Sequence, residues 1–129
     1  LGICLGMQIL LAQSEEFGIH NTLSIIHGKV VPLRSLSENL VAPHMGWTKT
    51  ERKSANFQSN NLFDVDDYFY YAHSYYCVLD EKYISAYCRY YHYEIPSVIT
   101  NGENVWGTQF HPELSSSQGL GVFEKFLNM

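Results

Sequence analysis

The stretch GICLGMQ, residues 2–8, places a cysteine between two glycines, directly ahead of an apolar run with helical spacing. This Gly-x-Cys-x-Gly pattern is typical of a nucleophile elbow, a tight strand-to-helix turn whose neighbouring positions take glycine because larger side chains would collide. The turn puts Cys4 at a helix N-terminus, where backbone amides and the helix dipole favour the thiolate. The Leu5 amide would face the oxyanion of a tetrahedral intermediate. The pattern predicts a nucleophilic cysteine, and a buried structural cysteine is the alternative.

A thiolate nucleophile in acyl transfer needs a base that later serves as the acid, and GTQFHPE, residues 107–113, offers one. His111 follows a β-rich stretch, and Glu113 lies two residues later, on the same side of an extended segment. Pro112 fixes its own φ and keeps His111 extended, so the carboxylate can hold the imidazole tautomer. The alternative is a strand-end histidine beside a surface glutamate. His20, His27 and His92 lie in polar turns or strands and are interpreted as solvated or hydrogen-bonding side chains.

The composition is that of a mildly acidic soluble protein. The 129 residues carry a formal net charge of −5, with 46% hydrophobic and 16% charged residues. Eight Lys and Arg without a stripe argue against nucleic-acid binding, and no apolar stretch approaches the ~18 residues of a membrane span. Three irregularly spaced cysteines favour a reducing, cytoplasmic compartment over a disulfide framework or a zinc site. No metal or cofactor is expected, because His73-x₃-Cys77 and Cys88-x₃-His92 have helical ligand spacing in segments that resemble strands.

Periodicity and turn signals predict an α/β chain with an antiparallel-rich middle. The predicted helices are Leu5–Gln13 and Gly119–Asn128, the second capped by one of the hydroxyls of Ser115–Ser117. The predicted strands are Leu23–Ile26, Lys29–Leu33, Trp47–Thr50, Tyr68–Ala72, Ile84–Tyr90, Ser97–Thr100 and Asn104–Phe110. The first two are expected to form a hairpin at 27–28, and the last two a hairpin at Asn101-Gly102. Residues 34–46 and 52–61 are predicted loops. No linker divides residues 1–129, so one domain is expected. An elbow needs a full preceding strand, so we expect the chain to be the C-terminal part of a longer protein.

Four motifs together carry a family resemblance. They are the elbow GICLGMQ, QFHPE at 109–113, PHMGW at 43–47 and HSY at 73–75. With these, essentially the whole chain resembles the class I (triad) glutamine amidotransferases, and within them the glutaminase subunits of imidazole glycerol phosphate synthases. The resemblance implies a flavodoxin-like three-layer α/β fold that here lacks its N-terminal part. It also implies glutamine as substrate, no cofactor, and a heterodimer with a cyclase subunit that receives the ammonia for histidine biosynthesis.

The resemblance further implies a role for individual residues. Cys4 would attack the glutamine amide, His111 would protonate the departing ammonia, and Glu113 would orient His111. The Leu5 amide would be half of the oxyanion hole. Glutamine would be held by Gly6, Gln8, Glu16, Ser74 and Tyr75, with Glu16 facing its α-amino group. The partner surface would lie near His44, Met45, Gly46 and Trp47, where simple loop packing is the alternative for each residue.

Two departures from the family pattern leave other functions open. Thr48 stands where the family usually has Asn, and Leu114 where it often has Lys. They are compatible with a paralogue that supplies ammonia to a nucleotide-sugar in a surface-polysaccharide pathway. A third alternative is a non-catalytic remnant or interaction module, because half of the oxyanion hole lies outside these residues.

Overall fold

The computed structural model describes residues 1–53, 62–63 and 66–129. Two α-helices are present among these residues, α1 (Leu5–Gln8) and α2 (Ser116–Leu127), together with 3-10 turns at Leu33–Ser35, Glu81–Tyr83 and Pro112–Leu114. The strands are β1 (Gly2–Ile3), β2 (Gln13–Ser14), β3 (His20–Asn21), β4 (Gly28–Pro32), β5 (His44–Arg52), β6 (Asp67–His73), β7 (Tyr75–Leu79), β8 (Ile84–Tyr90), β9 (Tyr93–Thr100) and β10 (Trp106–Thr108). The predicted α/β class is confirmed.

Two sheets organise these strands. The larger has the order β1-β10-β9-β8-β5-β6, and the smaller has the order β3-β2-β4-β7. In the larger sheet β1 and β10 are parallel, whereas the other neighbours are antiparallel. Carboxyl ends of parallel strands meet at one edge of a sheet. The first and last strands of the chain therefore bring the segments that follow them to the same edge.

Aromatic side chains fill the core beside the larger sheet. Phe69 stacks on Phe110 with ring centroids 4.1 Å apart, and Tyr71 meets Phe110 edge-on at 5.8 Å. Tyr71 is fully buried, and its hydroxyl hydrogen-bonds to Thr50 at 2.6 Å and to Ser97 at 2.8 Å. These bonds satisfy a polar group that would otherwise be costly to bury. The aromatic strand β6 thus anchors both the core and the segment that leads to His111.

The first helix is shorter than predicted. It ends at Gln8, and the amides of Leu10 and Leu11 donate to Met7 and Gln8 in tighter turns. Both leucines are buried nonetheless. Their helix-like spacing therefore reflects burial in the core, although this part of the chain is not α-helical. Gln13 pairs with Lys29 in the smaller sheet, which takes the chain out of helix at the position where the prediction continued it.

The hairpin predicted at 27–28 is wrong, because Leu23–Ile26 form no strand, whereas the strand predicted at Lys29–Leu33 is present as β4. The amides of Leu23 and Ile26 donate to the carbonyls that follow α1, and β4 pairs with β7 and β2 instead. Gly28 is needed because a Cβ there would lie 2.7 Å from the Val78 carbonyl oxygen, at a φ of +155°. Position 28 is therefore glycine because another strand passes close by, and in the sequence such a glycine looks the same as one in a two-residue turn.

The other predicted elements agree more closely with the structure. The hairpin at Asn101-Gly102 is confirmed, with Asn101 Oδ1 accepting two backbone amides and Gly102 at φ +85°. Strands β6 and β8 lie where they are predicted, whereas β9 begins at Tyr93, four residues earlier than predicted. The strand at β10 is shorter, and β5 is longer and begins inside the predicted loop 34–46. The loop predicted at 52–61 falls outside the described residues from 54 onward. Helix α2 begins earlier than predicted, and Ser115 does not cap it. The Ser115 hydroxyl oxygen accepts from the Tyr70 amide and donates its proton to the His111 carbonyl.

Candidate active site

Cys4 occupies the tight turn that its sequence motif predicts. Its φ is +50° and ψ is −104°, and its amide donates to the Thr108 carbonyl at 2.7 Å. A Cβ on Gly2 would overlap the Gly6 carbonyl oxygen and lie 2.8 Å from the Met7 nitrogen. A Cβ on Gly6 would meet no atom within 4 Å. Crowding therefore explains the glycine before the cysteine, whereas the prediction that Gly6 is sterically required is wrong.

His111 and Glu113 form the predicted hydrogen-bonded pair. His111 Nδ1 and Glu113 Oε1 are 2.6 Å apart. A carboxylate only accepts, so Nδ1 carries the proton and Nε2 is left with its lone pair. His111 itself is extended, as predicted, with φ −99° and ψ 96°. The segment does not stay extended to Glu113, because Pro112–Leu114 form a 3-10 turn, and the pair forms across that turn. Two hydrogen bonds hold the His111 backbone. Its N–H donates to the Tyr70 carbonyl at 2.8 Å, and its carbonyl accepts from the Ser115 hydroxyl.

The parallel pairing of β1 and β10 brings the cysteine and the histidine to one sheet edge. Ile3 lies opposite Thr108, so Cys4 directly follows one strand and His111 comes three residues after the end of the other. The Glu113 carboxylate is close enough to act electrostatically on the Cys4 thiol. Cys4 and the His111–Glu113 pair, predicted as nucleophile, base and orienting carboxylate, thus come to one sheet edge from the two ends of the chain.

The surroundings of Cys4 favour the thiol over the thiolate. Burial raises the pKa of Cys4 above its ordinary value, and the Glu113 and Glu16 carboxylates add to that rise. The Leu5 amide and the Gln109 side chain act in the opposite direction. The thiol lies 3.7 Å from the Ala72 carbonyl, to which it donates. The Leu5 amide thus favours the thiolate, as expected for a helix N-terminus, but burial is the larger influence and the pKa of Cys4 rises.

A cleft of about 320 Å³ opens beside the Cys4 sulfur. Of the five residues predicted to hold a ligand, Gln8, Glu16, Ser74 and Tyr75 line it, and so does Leu5. The remaining lining residues are Cys4, Pro43, Met45, Ala72 and His73. Gly6 does not line the cleft in this part of the chain. The volume is at the small end of the range for ligand sites, and Glu16 offers a carboxylate to a cationic group.

Two histidines that sequence reasoning did not connect form a buried chain beneath this cleft. His73 Nδ1 lies 2.8 Å from the Tyr75 carbonyl, and His73 Nε2 lies 2.8 Å from His44 Nδ1. The carbonyl only accepts, so His73 carries its proton on Nδ1 and accepts from His44. His44 Nε2 then accepts from the Thr48 hydroxyl at 2.8 Å. Thr48, the departure from the family pattern, thus has a structural role of its own.

Burial keeps both imidazoles neutral. It lowers the pKa of His73 to about 4 and, together with the neighbouring His73, lowers the pKa of His44 to about 3. His44 is 2% exposed, so its side chain does not form part of the surface predicted to bind a partner. The adjacent Met45 and Trp47 are 62% and 50% exposed and point to the opposite face of β5. Sequence alone gave no signal for the histidine pair, which depends on the register of β5 and β6.

Within the described ranges, no helix of the structure is long and apolar enough to cross a membrane. Those same residues contain no group of three or more His, Cys, Asp and Glu side chains that could hold a metal ion. The three cysteines are free thiols.

Comparison with known proteins identifies relatives over the whole chain. Residues 1–129 match the family described as Glutamine amidotransferase class-I. The chain is 41% identical over 131 residues to the imidazole glycerol phosphate synthase subunit HisH of Sulfurimonas denitrificans, covering 98% of this chain and 60% of that protein. It is 43% identical over 126 residues to the subunit of the same name from Listeria monocytogenes serotype 4b, covering 98% and 58%. A third, from Geobacillus sp., is 35% identical over 132 residues, covering 100% and 61%. The chain thus spans about 60% of the length of these curated relatives.

Proposed function

Because the chain belongs to the class I glutamine amidotransferase family, we propose that it carries the nucleophile and base of a glutaminase subunit of imidazole glycerol phosphate synthase. This subunit hydrolyses glutamine to glutamate and passes the ammonia to a cyclase subunit. The observation that carries the proposal is the His111–Glu113 pair, which lies at the same sheet edge as Cys4. The names of the relatives support the choice of synthase.

The reaction begins with a proton transfer from the Cys4 thiol to His111 Nε2. The thiolate attacks the γ-carbonyl carbon of glutamine, and the Leu5 amide donates to the oxyanion that forms. His111 returns the proton to the amide nitrogen, the C–N bond breaks, and ammonia leaves a γ-glutamyl thioester on Cys4. A water molecule, deprotonated by His111, then attacks the thioester and releases glutamate and the thiol. Throughout the reaction the Glu113 carboxylate accepts the hydrogen bond from His111 Nδ1–H, which fixes the tautomer of the imidazole.

The cleft residues supply recognition of the amino acid. Glu16 faces the α-ammonium group of glutamine, and its charge is available on the wall of the cleft. Gln8 offers its carbonyl oxygen, because its amide nitrogen already donates to the Tyr75 carbonyl and to Gln109. Ser74 and Tyr75 complete the wall.

The exposed face of β5 is the docking surface for the cyclase in this proposal. Met45 and Trp47 are both exposed, and Trp47 packs edge-on against Tyr70 at 6.1 Å. Methionine and tryptophan are enriched at protein interfaces. Gly46 lies between them at φ +126°. Met45 also lines the cleft, so a docked cyclase would receive ammonia close to where it forms. We place this heterodimer in the cytoplasm.

The test measures glutamate release by the full-length protein, alone and with its candidate cyclase, with and without the nucleotide substrate of the cyclase. We expect turnover that the occupied cyclase stimulates and that Cys4→Ala abolishes. Cys88→Ala is the matched control, because Cys88 is a buried thiol on β8, remote in sequence from the elbow, and its loss leaves the nucleophile in place. Cys4-dependent turnover that ignores the cyclase would contradict the assigned acceptor. No turnover under any condition would contradict the enzymatic assignment.

A further inference from the structure

Gln109 is a fully buried glutamine beside the nucleophile, and the reaction proposed above does not use it. Its Nε2 lies 3.7 Å from Cys4 Sγ and donates to the sulfur. Its Oε1 accepts from Gln8 Nε2 at 3.2 Å. Its backbone amide donates to the Ser97 carbonyl at 2.8 Å, which holds the residue at the end of β10. The side chain therefore spans the space between the elbow and α1.

The orientation of the Gln109 amide is fixed by its neighbours. Gln8 Nε2 donates to the Tyr75 carbonyl at 3.0 Å, and a backbone carbonyl can only accept. The Gln8 nitrogen is thereby assigned, and its second N–H meets Gln109 Oε1. The Gln109 nitrogen must then face the sulfur. A flipped Gln109 would place two N–H groups against each other and its oxygen against the sulfur.

We propose that Gln109 is a catalytic residue that donates a hydrogen bond to the Cys4 thiolate, and that Gln8 is the positioning residue that aims it. This inference rests on the proposed glutaminase function for its catalytic meaning, but the bond itself does not depend on it. A donor to sulfur favours the thiolate, the nucleophilic form of cysteine. The hydrogen bond also restrains the sulfur at the mouth of the cleft.

The surroundings make this donor necessary. Burial and the carboxylates of Glu16 and Glu113 all disfavour negative charge on the Cys4 sulfur. The Leu5 amide and Gln109 are the groups on the described part of the chain that act against them. His73 lines the cleft but is neutral. The titratable groups on the elements around Cys4 are Glu16, His73, Cys77, His111 and Glu113.

The experiment follows the alkylation of Cys4 by iodoacetamide against pH in the full-length protein, resolved by peptide mass spectrometry. Gln109→Met keeps the length of the side chain and removes the donor. We expect the midpoint of the alkylation profile to rise by about one pH unit, the size of one hydrogen bond to a charged group. We also expect kcat for glutamine hydrolysis to fall about tenfold with KM changed less than about twofold. Gln118→Met on α2 is the matched control and keeps the original midpoint.

A second variant protects the test against misfolding. Gln8→Met leaves Gln109 in place but frees its amide to turn, so the Cys4 midpoint again rises. An unchanged midpoint in both Gln109→Met and Gln8→Met overturns the inference, whatever the glutaminase activity. A raised midpoint in a protein that releases no glutamate supports the hydrogen bond while contradicting the proposed function. The two proposals therefore fail separately.

Discussion

Acid should destabilise this protein through the buried pair of His44 and His73. Both imidazoles are neutral in the folded chain, with pKa values lowered by burial to about 3 and about 4, against an ordinary value of 6.5. The unfolded chain therefore binds more protons below pH 6.5 than the folded chain does. Stability is fully present above about pH 6.5 and is lost as the pH falls toward about 4.

The magnitude follows from the two shifts. Each group with a depressed pKa costs about 1.4 kcal/mol of unfolding free energy for every pH unit below 6.5. Two such groups lower the unfolding free energy by about 3 kcal/mol between pH 7.5 and 5.5. That is a large part of the ~5–15 kcal/mol that stabilises an ordinary domain.

The assay is urea unfolding of the full-length protein at pH 7.5, 6.5 and 5.5, with the free energy extrapolated to water. The double variant His44→Gln, His73→Asn removes both titrating groups, so its stability should vary less with pH by the same ~3 kcal/mol. His92→Gln, at an exposed position, is the control and should leave the pH dependence of the unfolding free energy unchanged. An equal pH dependence of the unfolding free energy in the double variant and the original chain would refute the assignment of two buried neutral imidazoles.

Three glycine substitutions test the close approaches in the fold. Gly2→Ala would drive a Cβ into the Gly6 carbonyl, so we expect a loss of about 1–3 kcal/mol in urea unfolding together with slower Cys4 alkylation. Gly119→Ala would overlap the Pro112 carbonyl oxygen, so a lower melting temperature is expected, and under the proposed function also a loss of glutaminase activity, since that turn carries Glu113. Gly121→Ala meets no atom within 4 Å in the middle of α2 and should stabilise by up to about 1 kcal/mol. A stabilised Gly2→Ala or Gly119→Ala, or a destabilised Gly121→Ala, would contradict the packing described.

The elbow and the His111–Glu113 pair could be predicted because each is a local pattern. The glycine at position 2, the proline at 112 and the two-residue spacing to Glu113 act within a few residues of the group they position. The turn beside Asn101 was equally local. Where a geometry is decided by neighbours in sequence, the sequence contains the information needed to predict it.

The errors lie where distant strands decide the outcome. Leu10 and Leu11 show helical spacing, but pairing of Gln13 with Lys29 ends the helix. Gly28 resembles a turn residue, but it is glycine because Val78 passes close by. The burial of His44 depends on its register opposite His73, which no local pattern encodes. Tertiary pairing overrides local propensity in each case.

The pairing of β1 with β10 also orders events during synthesis. Cys4 and Gln109 are 105 residues apart, so a ribosome adding about 5–20 residues per second completes the second roughly 5 to 20 s after the first. Until β10 emerges, β1 lacks the parallel partner that brings Gln109 and His111 to the sheet edge of Cys4. Under the proposed function, a chain that stalls before β10 would therefore hydrolyse no glutamine.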